Sequence, residues 1–332
     1  MLTSIASPVF PPFRPRFPWW GGDLQTLANR LRGGSVDLAP HAGERLRFPL
    51  ADGTGDTLLA TLHRPSVRKS GTPLVVLIHG LTGSEDSQYI RSQARRLLER
   101  GHRVLRLNLR GAGPSRPLCG GHYYAGRSQD LRALLALLPD DLRRDGMMAV
   151  GYSLGGAMLL KYLGEEGASS PLAAAATVCA PIDLSATCVS MMRPRNAIYH
   201  RHLLGEMKRE ATGTGASLSA GERAAILGTK SIWEYDDVFI APRHGFAGSE
   251  DYYERCRPVR FMSSIRVPTL VLAAGDDPWI PAALYRGYDW ATNKALVPLL
   301  PESGGHVGFH GIGRDRPWSD DVVAAFLEHG WI

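Results

Sequence analysis

Apolar runs alternating with helical stretches are the feature that most narrows what this chain can fold into. Leu74-Val75-Val76-Leu77-Ile78 is followed by a helical stretch from Asp86 to Arg100 and then by Val104-Leu105-Arg106-Leu107. Further runs at Met147 to Val150, Ala173 to Val178, Thr269 to Ala273 and Ala295 to Leu300 come with helical stretches around Ser128 to Leu138 and Gly155 to Glu165. A strand buried on both faces reads as an unbroken apolar run, and alternation with helices indicates an α/β fold whose twisted sheet is mostly parallel, with helices on both faces. Ahead of it, Leu46 to Leu50 and Thr57 to His63 flank Asp52-Gly53-Thr54-Gly55, which predicts an antiparallel hairpin leading into the sheet.

The alternation fails in two places, and these set the expected organisation. Up to about Arg32 the chain carries Pro8, Pro11, Pro12, Pro15 and Pro18 among Phe10, Phe13, Phe17, Trp19 and Trp20. Prolines disfavour helix and aromatics seek cover, so residues 1–45 are expected as an extended arm packed on the body. Between Asp183 and Arg266 there is helical propensity around Asn196 to Glu210 and Ala216 to Leu227, with aromatic residues and no convincing buried strand. A mainly helical insertion between two strands is expected to cap the carboxyl ends of the sheet, where open α/β sheets bind ligands. The expected division is therefore an arm at 1–45, a core at 46–182 and 267–332, and a cap at 183–266.

The chemistry-bearing pattern is Gly151-Tyr152-Ser153-Leu154-Gly155, placed between the run ending at Val150 and a helix rich in Ala, Met and Leu. Strand, sharp turn and helix around G-x-S-x-G make a nucleophile elbow, in which flanking glycines give the turn room and expose the serine hydroxyl. The bland alternative is that Ser153 merely caps a helix. A serine hydroxyl is a weak nucleophile near neutral pH and needs a base, a group to orient that base, and donors for an oxyanion. Gly304-Gly305-His306-Val307-Gly308-Phe309 after the last run offers His306 as base, and Asp276-Asp277-Pro278-Trp279-Ile280-Pro281 after the run at Thr269 offers a carboxylate. Singly, an aspartate in a turn and a histidine in a loop are unremarkable. Together they stand in the chain order Ser, Asp, His that α/β-hydrolases use. His79-Gly80-Leu81-Thr82-Gly83 follows the run ending at Ile78, and the backbone N–H groups of Leu81 and Leu154 are the expected oxyanion donors, with His79 a structural residue of its loop. Trp279 and Tyr152, beside the acid and the nucleophile, are candidates for the substrate pocket.

Other classes are disfavoured. Arg110-Gly111-Ala112-Gly113-Pro114-Ser115 follows a strand in the manner of a dinucleotide-binding turn, but Arg116 stands at the third glycine position and Pro114 crowds the turn, so no cofactor is expected there. The net charge of +6 would suit a polyanion, yet Arg91, Arg95, Arg96 and Arg100 are spread along one predicted amphipathic helix as an ordinary solvated face, so no nucleic-acid partner is expected. Cys119, Cys179, Cys188 and Cys256 lack metal-ligand spacing and read as free thiols, with no metal expected. No stretch is long and apolar enough to span a bilayer and no secretory signal is visible, so a soluble cytoplasmic protein without integral membrane association is expected. The oligomeric state is not encoded in any of these features.

These residues resemble the YheT-like branch of the α/β-hydrolases (AB-hydrolase 4 type), whose animal and yeast relatives include membrane-anchored lipases and ethanol acyltransferases. The resemblance runs along most of the chain. It includes Gly22-Asp23-Leu24-Gln25-Thr26-Leu27, Asn108-Leu109-Arg110-Gly111 and Tyr124-Ala125-Gly126 with Asp130. It also includes Trp233-Glu234-Tyr235-Asp236-Asp237, His244-Gly245-Phe246 and Asp251-Tyr252-Tyr253. The resemblance implies that Ser153, Asp277 and His306 form the catalytic set and that the substrate is a small carboxylic ester. Composition offers no choice between Asp276 and Asp277; the family pattern D-P-x-[IV]-P matches Asp277. Trp279 stands where the family often has phenylalanine. A cap rich in aromatics but without an extended apolar surface suggests short to medium acyl esters. Acyl transfer to an alcohol by the same triad, and a non-catalytic binding role on the same fold, are the alternatives.

Overall fold

The computed structural model describes residues 10–31 and 36–329. Eight strands form one sheet: β1 (Gly43–Pro49), β2 (Thr57–His63), β3 (Leu74–Ile78), β4 (Val104–Asn108), β5 (Met147–Tyr152), β6 (Leu172–Val178), β7 (Thr269–Leu272) and β8 (Leu296–Leu299), in the order β1-β2-β4-β3-β5-β6-β7-β8. The β1–β2 hairpin pairs antiparallel and β2 joins β4 antiparallel, whereas every pairing from β4 to β8 is parallel. The principal helices are α1 (Gly22–Leu31), α2 (Gln88–Glu99), α3 (Ser128–Leu137), α4 (Leu154–Glu166), α5 (Leu184–Met191), α6 (Ala197–Ala211), α7 (Ala220–Gly228), α8 (Ser249–Cys256) and α9 (Trp318–His329).

All five residues of β3 are buried, as the unbroken run requires, each worth roughly 1.5–3 kcal/mol over its exposed state. Helix α2 buries Ile90, Ala94, Leu97 and Leu98, a 3.6-residue stripe. The arginines on its other faces are engaged locally: Arg95 with Glu99, Arg96 with Asp321 and Arg100 with Glu328. The edges are defended differently. β1 is charged and largely exposed, and β8 carries Pro298, tolerated at an edge because no further strand asks for its missing N–H. The Arg110 segment is held by buried charge, since its guanidinium meets Asp56 at 2.6 Å, Asp52 at 2.6 Å and Asp130 at 2.7 Å.

Two expectations are modified. Within the stretch expected as an extended arm, Gly22–Leu31 is the helix α1, because the prolines end at Pro18 and leave ten residues free to coil. The described residues before it run extended from Phe10 to Arg16 and then turn: Pro15 bridges Gly311, and Phe13 packs at 5.7 Å from the Phe309 ring; residues 1–9 lie outside the described residues. Its aromatics are not all covered, for Phe17 and Trp20 remain mostly exposed and rest on each other. Between β6 and β7 the described chain forms α5 to α8 and short turns, one of them a π-helical turn at Asp236–Ile240. These helices have their own apolar cluster, centred on Met207, Ile226, Tyr235 and Phe239. Among the described residues no helix is long and apolar enough to cross a membrane.

Candidate active site

Ser153 sits between β5 and α4 with φ +49° and ψ −122°, a conformation non-glycine residues rarely adopt. The pattern's glycines make that turn possible. A Cβ on Gly151 would lie 2.6 Å from the Gly155 carbonyl oxygen, and one on Gly155 would lie 2.4 Å from that of His79. The Ser153 side chain makes no capping bond to α4, which removes the reading of a simple helix cap. Its Oγ lies 2.9 Å from His306 Nε2, and His306 Nδ1 lies 2.8 Å from Asp277 Oδ2. A carboxylate can only accept, so the ring proton belongs on Nδ1 and Nε2 is left to accept from the serine hydroxyl.

The two adjacent aspartates are separated by geometry. Asp277 Oδ1 accepts from the backbone N–H groups of Trp279 (2.8 Å) and Ile280 (3.1 Å), which fixes the carboxylate and leaves Oδ2 for the imidazole. Asp276 instead accepts from Gly305 N–H at 2.8 Å, bracing the histidine loop, and burial pushes its carboxyl pKa up. The Trp279 ring lies over the imidazole at a tilt of 31°, with ring centroids 4.2 Å apart.

In the loop after β3, Gly80 N–H donates to Tyr89 Oη (3.0 Å), Thr82 N–H to Tyr123 Oη (2.7 Å) and Gly83 N–H to the Gly80 carbonyl (3.1 Å). Leu81 N–H alone in this group has no acceptor among the described residues. Leu154 opens α4, where N–H groups lack intrahelical partners. His79 is fully buried, with Nε2 accepting from Leu109 N–H, and burial lowers its pKa to about 4, so it is a neutral structural residue.

A cavity of about 330 Å³ opens onto Ser153 and His306, lined mostly by apolar side chains from the core, from α1 and from the helices between β6 and β7. Trp279 lines it. Tyr152 does not: it is buried beneath the site, with its hydroxyl donating to Gln93 Oε1 at 3.1 Å. Successive residues leave a strand on opposite faces, so the neighbour of the nucleophile points toward α2 and away from the cavity.

Sequence reasoning missed the part played by α1. Thr26 Oγ1 accepts the His306 backbone N–H at 2.8 Å, Asn29 Nδ2 donates to the Val307 carbonyl at 2.8 Å, and Gln25 exchanges bonds with the His310 backbone at 2.7 and 3.0 Å. The one available signal was the Gly22 to Leu27 motif. Cys179 also approaches, its ligand atom grouped with those of Asp277 and His306 within 4.8 Å. Burial and the Asp277 charge push its thiol pKa well up, so it stays a thiol, while the imidazole nitrogen nearest the acid is already engaged. A protonated thiol and an imidazole already bonded to the acid make that set a poor one for a cation.

A model of the α/β-hydrolase fold family matches residues 73–310. Along 92% of its length the chain is 32% identical to YheT of Escherichia coli (strain K12), named as a candidate esterase, and covers 89% of that protein. The chain belongs to the YheT-like α/β-hydrolases. This hydrolase is also 30% identical over 79% of its length to medium-chain fatty acid ethyl ester synthase/esterase 2 of Saccharomyces cerevisiae, and 30% identical over 80% to phospholipase ABHD3 of Mus musculus. It spans 63% and 66% of those longer relatives. Among solved structures, an esterase of Pyrococcus furiosus superposes with a TM-score of 0.60 over 98% of this chain and 100% of its own; at 15% identity this likeness concerns the fold alone.

Proposed function

We propose that this YheT-like hydrolase is a serine carboxylic-ester hydrolase acting on short to medium acyl esters through an acyl-enzyme. The observation that carries the reading is the hydrogen-bonded chain from Ser153 through His306 to Asp277 at the wall of an apolar cavity. His306 Nε2 takes the hydroxyl proton as Ser153 Oγ bonds to the ester carbonyl carbon, and Asp277 stabilises the imidazolium. The carbonyl oxygen gathers negative charge between the N–H groups of Leu81 and Leu154. Collapse breaks the ester C–O bond, His306 returns the proton to the departing alcohol, and water repeats the sequence to release the acid. The cavity volume is at the low end of small-molecule sites, roughly 300–1,000 Å³, which fits a short or medium chain. The residues at 183–266 then serve as a cap over the acyl site.

The test is turnover of a soluble butyrate ester by the wild type and by Ser153→Ala. The variant should lose hydrolysis and organophosphate labelling while melting as the wild type does. Near-wild-type turnover in Ser153→Ala overturns the proposal. Acyl transfer is the second reading, favoured by the yeast relative's name as an ethyl ester synthase. Ethyl ester formed at the expense of free acid when ethanol is added would establish it.

A further inference from the structure

One polar group in the cavity has no part in the proposed reaction. Asp236 begins the π-helical turn at Asp236–Ile240, between β6 and β7, is 8% exposed, and lines the cavity. Its Oδ2 accepts from Tyr253 Oη at 2.6 Å, and that hydroxyl in turn lies 3.3 Å from Cys188 Sγ. Asp236 Oδ1 has no hydrogen-bond partner among the described residues. The cavity as a whole is mostly apolar, with Leu184, Met191 and Ile232 also in its wall. π-Turns are uncommon inside helices and occur disproportionately at functional sites. A carboxyl oxygen that faces a mostly apolar cavity without a protein donor is open to a ligand donor in place of water.

We infer that Asp236 is the anchor for a hydroxyl group on the acyl chain, so that the preferred substrates are esters of hydroxylated acyl chains. This rests on the ester-hydrolase reading and narrows its substrate class. Geometry provides the anchor: Tyr253 holds one carboxyl oxygen and the other is left to the cavity. A hydroxyl suits it better than an ammonium. Burial pushes the Asp236 pKa up to about 7, so both protonation states are populated near neutrality. A hydroxyl donates to the carboxylate and accepts from the acid, whereas an ammonium can only donate and costs more to desolvate.

The experiment compares kcat/KM for p-nitrophenyl esters of one medium-chain acid, unsubstituted and carrying a hydroxyl at successive chain positions, in the wild type, Asp236→Asn and Asp236→Leu. At the best position the wild type should favour the hydroxylated ester by about tenfold, the upper scale of one ordinary net hydrogen bond. Asp236→Leu should erase or reverse that ratio, mainly through KM, and Asp236→Asn should keep part of it. A wild type indifferent to the hydroxyl at every position overturns the inference, as does an unchanged preference in a folded Asp236→Leu. If the leucine variant does not fold, the wild-type ratio and Asp236→Asn decide. Hydrolysis of the unsubstituted ester, lost in Ser153→Ala, isolates failure of this inference from failure of the ester-hydrolase reading.

Discussion

Strain collects around the reacting groups. Besides Ser153, the non-glycine residues Thr82, Cys179, Val307 and Phe309 hold positive φ, and all five lie in the loops that build the site. Such conformations cost of order 1–3 kcal/mol each and persist only where surrounding contacts over-determine them. Asp277 illustrates the over-determination, with both carboxylate oxygens held: two backbone donors on Oδ1 and the imidazole on Oδ2. Asp277→Asn places an amide where the imidazole N–H needs an acceptor and should lower kcat by about 10⁴-fold. Asp276→Asn retains an oxygen for the Gly305 N–H and should cost about tenfold at most. Steady-state kinetics on one ester check the order; the reverse order would make Asp276 the orienting acid.

At the scale of elements, the relation between α1 and the histidine loop matters most. Three side chains of one face of α1, Gln25, Thr26 and Asn29, hold backbone groups of residues 306, 307 and 310, a spacing of i, i+1 and i+4 that one helix face supplies. The loop itself has no regular structure to hold it. Thr26→Val keeps the shape and removes the acceptor for His306 N–H, leaving a buried donor unsatisfied at about 1–3 kcal/mol. We expect kcat to fall by about tenfold with KM little changed, and Thr26→Ser to restore it. Equal kcat in Thr26→Val and the wild type would show that α1 does not position the base. A second link joins α6 to the loop after β3, since Tyr123 Oη accepts from Thr82 N–H and donates to Glu210 Oε2 at 2.8 Å.

Across the whole molecule, carboxyls buried without a cation partner shape the response to pH. Asp320 on α9 accepts from the Ser92 hydroxyl on α2, and burial pushes its pKa up to about 7. Between about pH 4 and pH 7 the folded chain therefore keeps a proton that the unfolded chain releases, so this group's contribution to stability falls as pH rises through that window and levels off above it. Asp236 and Glu210, each raised to about 7 by burial, act in the same sense. Asp320→Asn cannot titrate and still accepts from Ser92. Its Tm should decline less than that of the wild type between pH 5 and pH 7.5; parallel Tm profiles would assign the dependence to other groups.

The sequence by itself determined the parallel sheet, the antiparallel hairpin, the turn at Ser153 and the order of acid and base, because each is written in local terms: runs buried on both faces, glycines where a Cβ would strike backbone, and loops directly after strands. It could not tell Asp276 from Asp277 on composition, since neighbours on one turn differ only in where the fold aims them. It misplaced Tyr152 in the pocket for the same reason. The grip of α1 on the histidine loop joins residues about 280 positions apart, and the placing of Asp236 at the cavity depends on packing between helices distant in sequence. Periodicity and turn chemistry carry no information over such separations. Only the tertiary structure, in which burial and backbone donors meet from different parts of the chain, decided them.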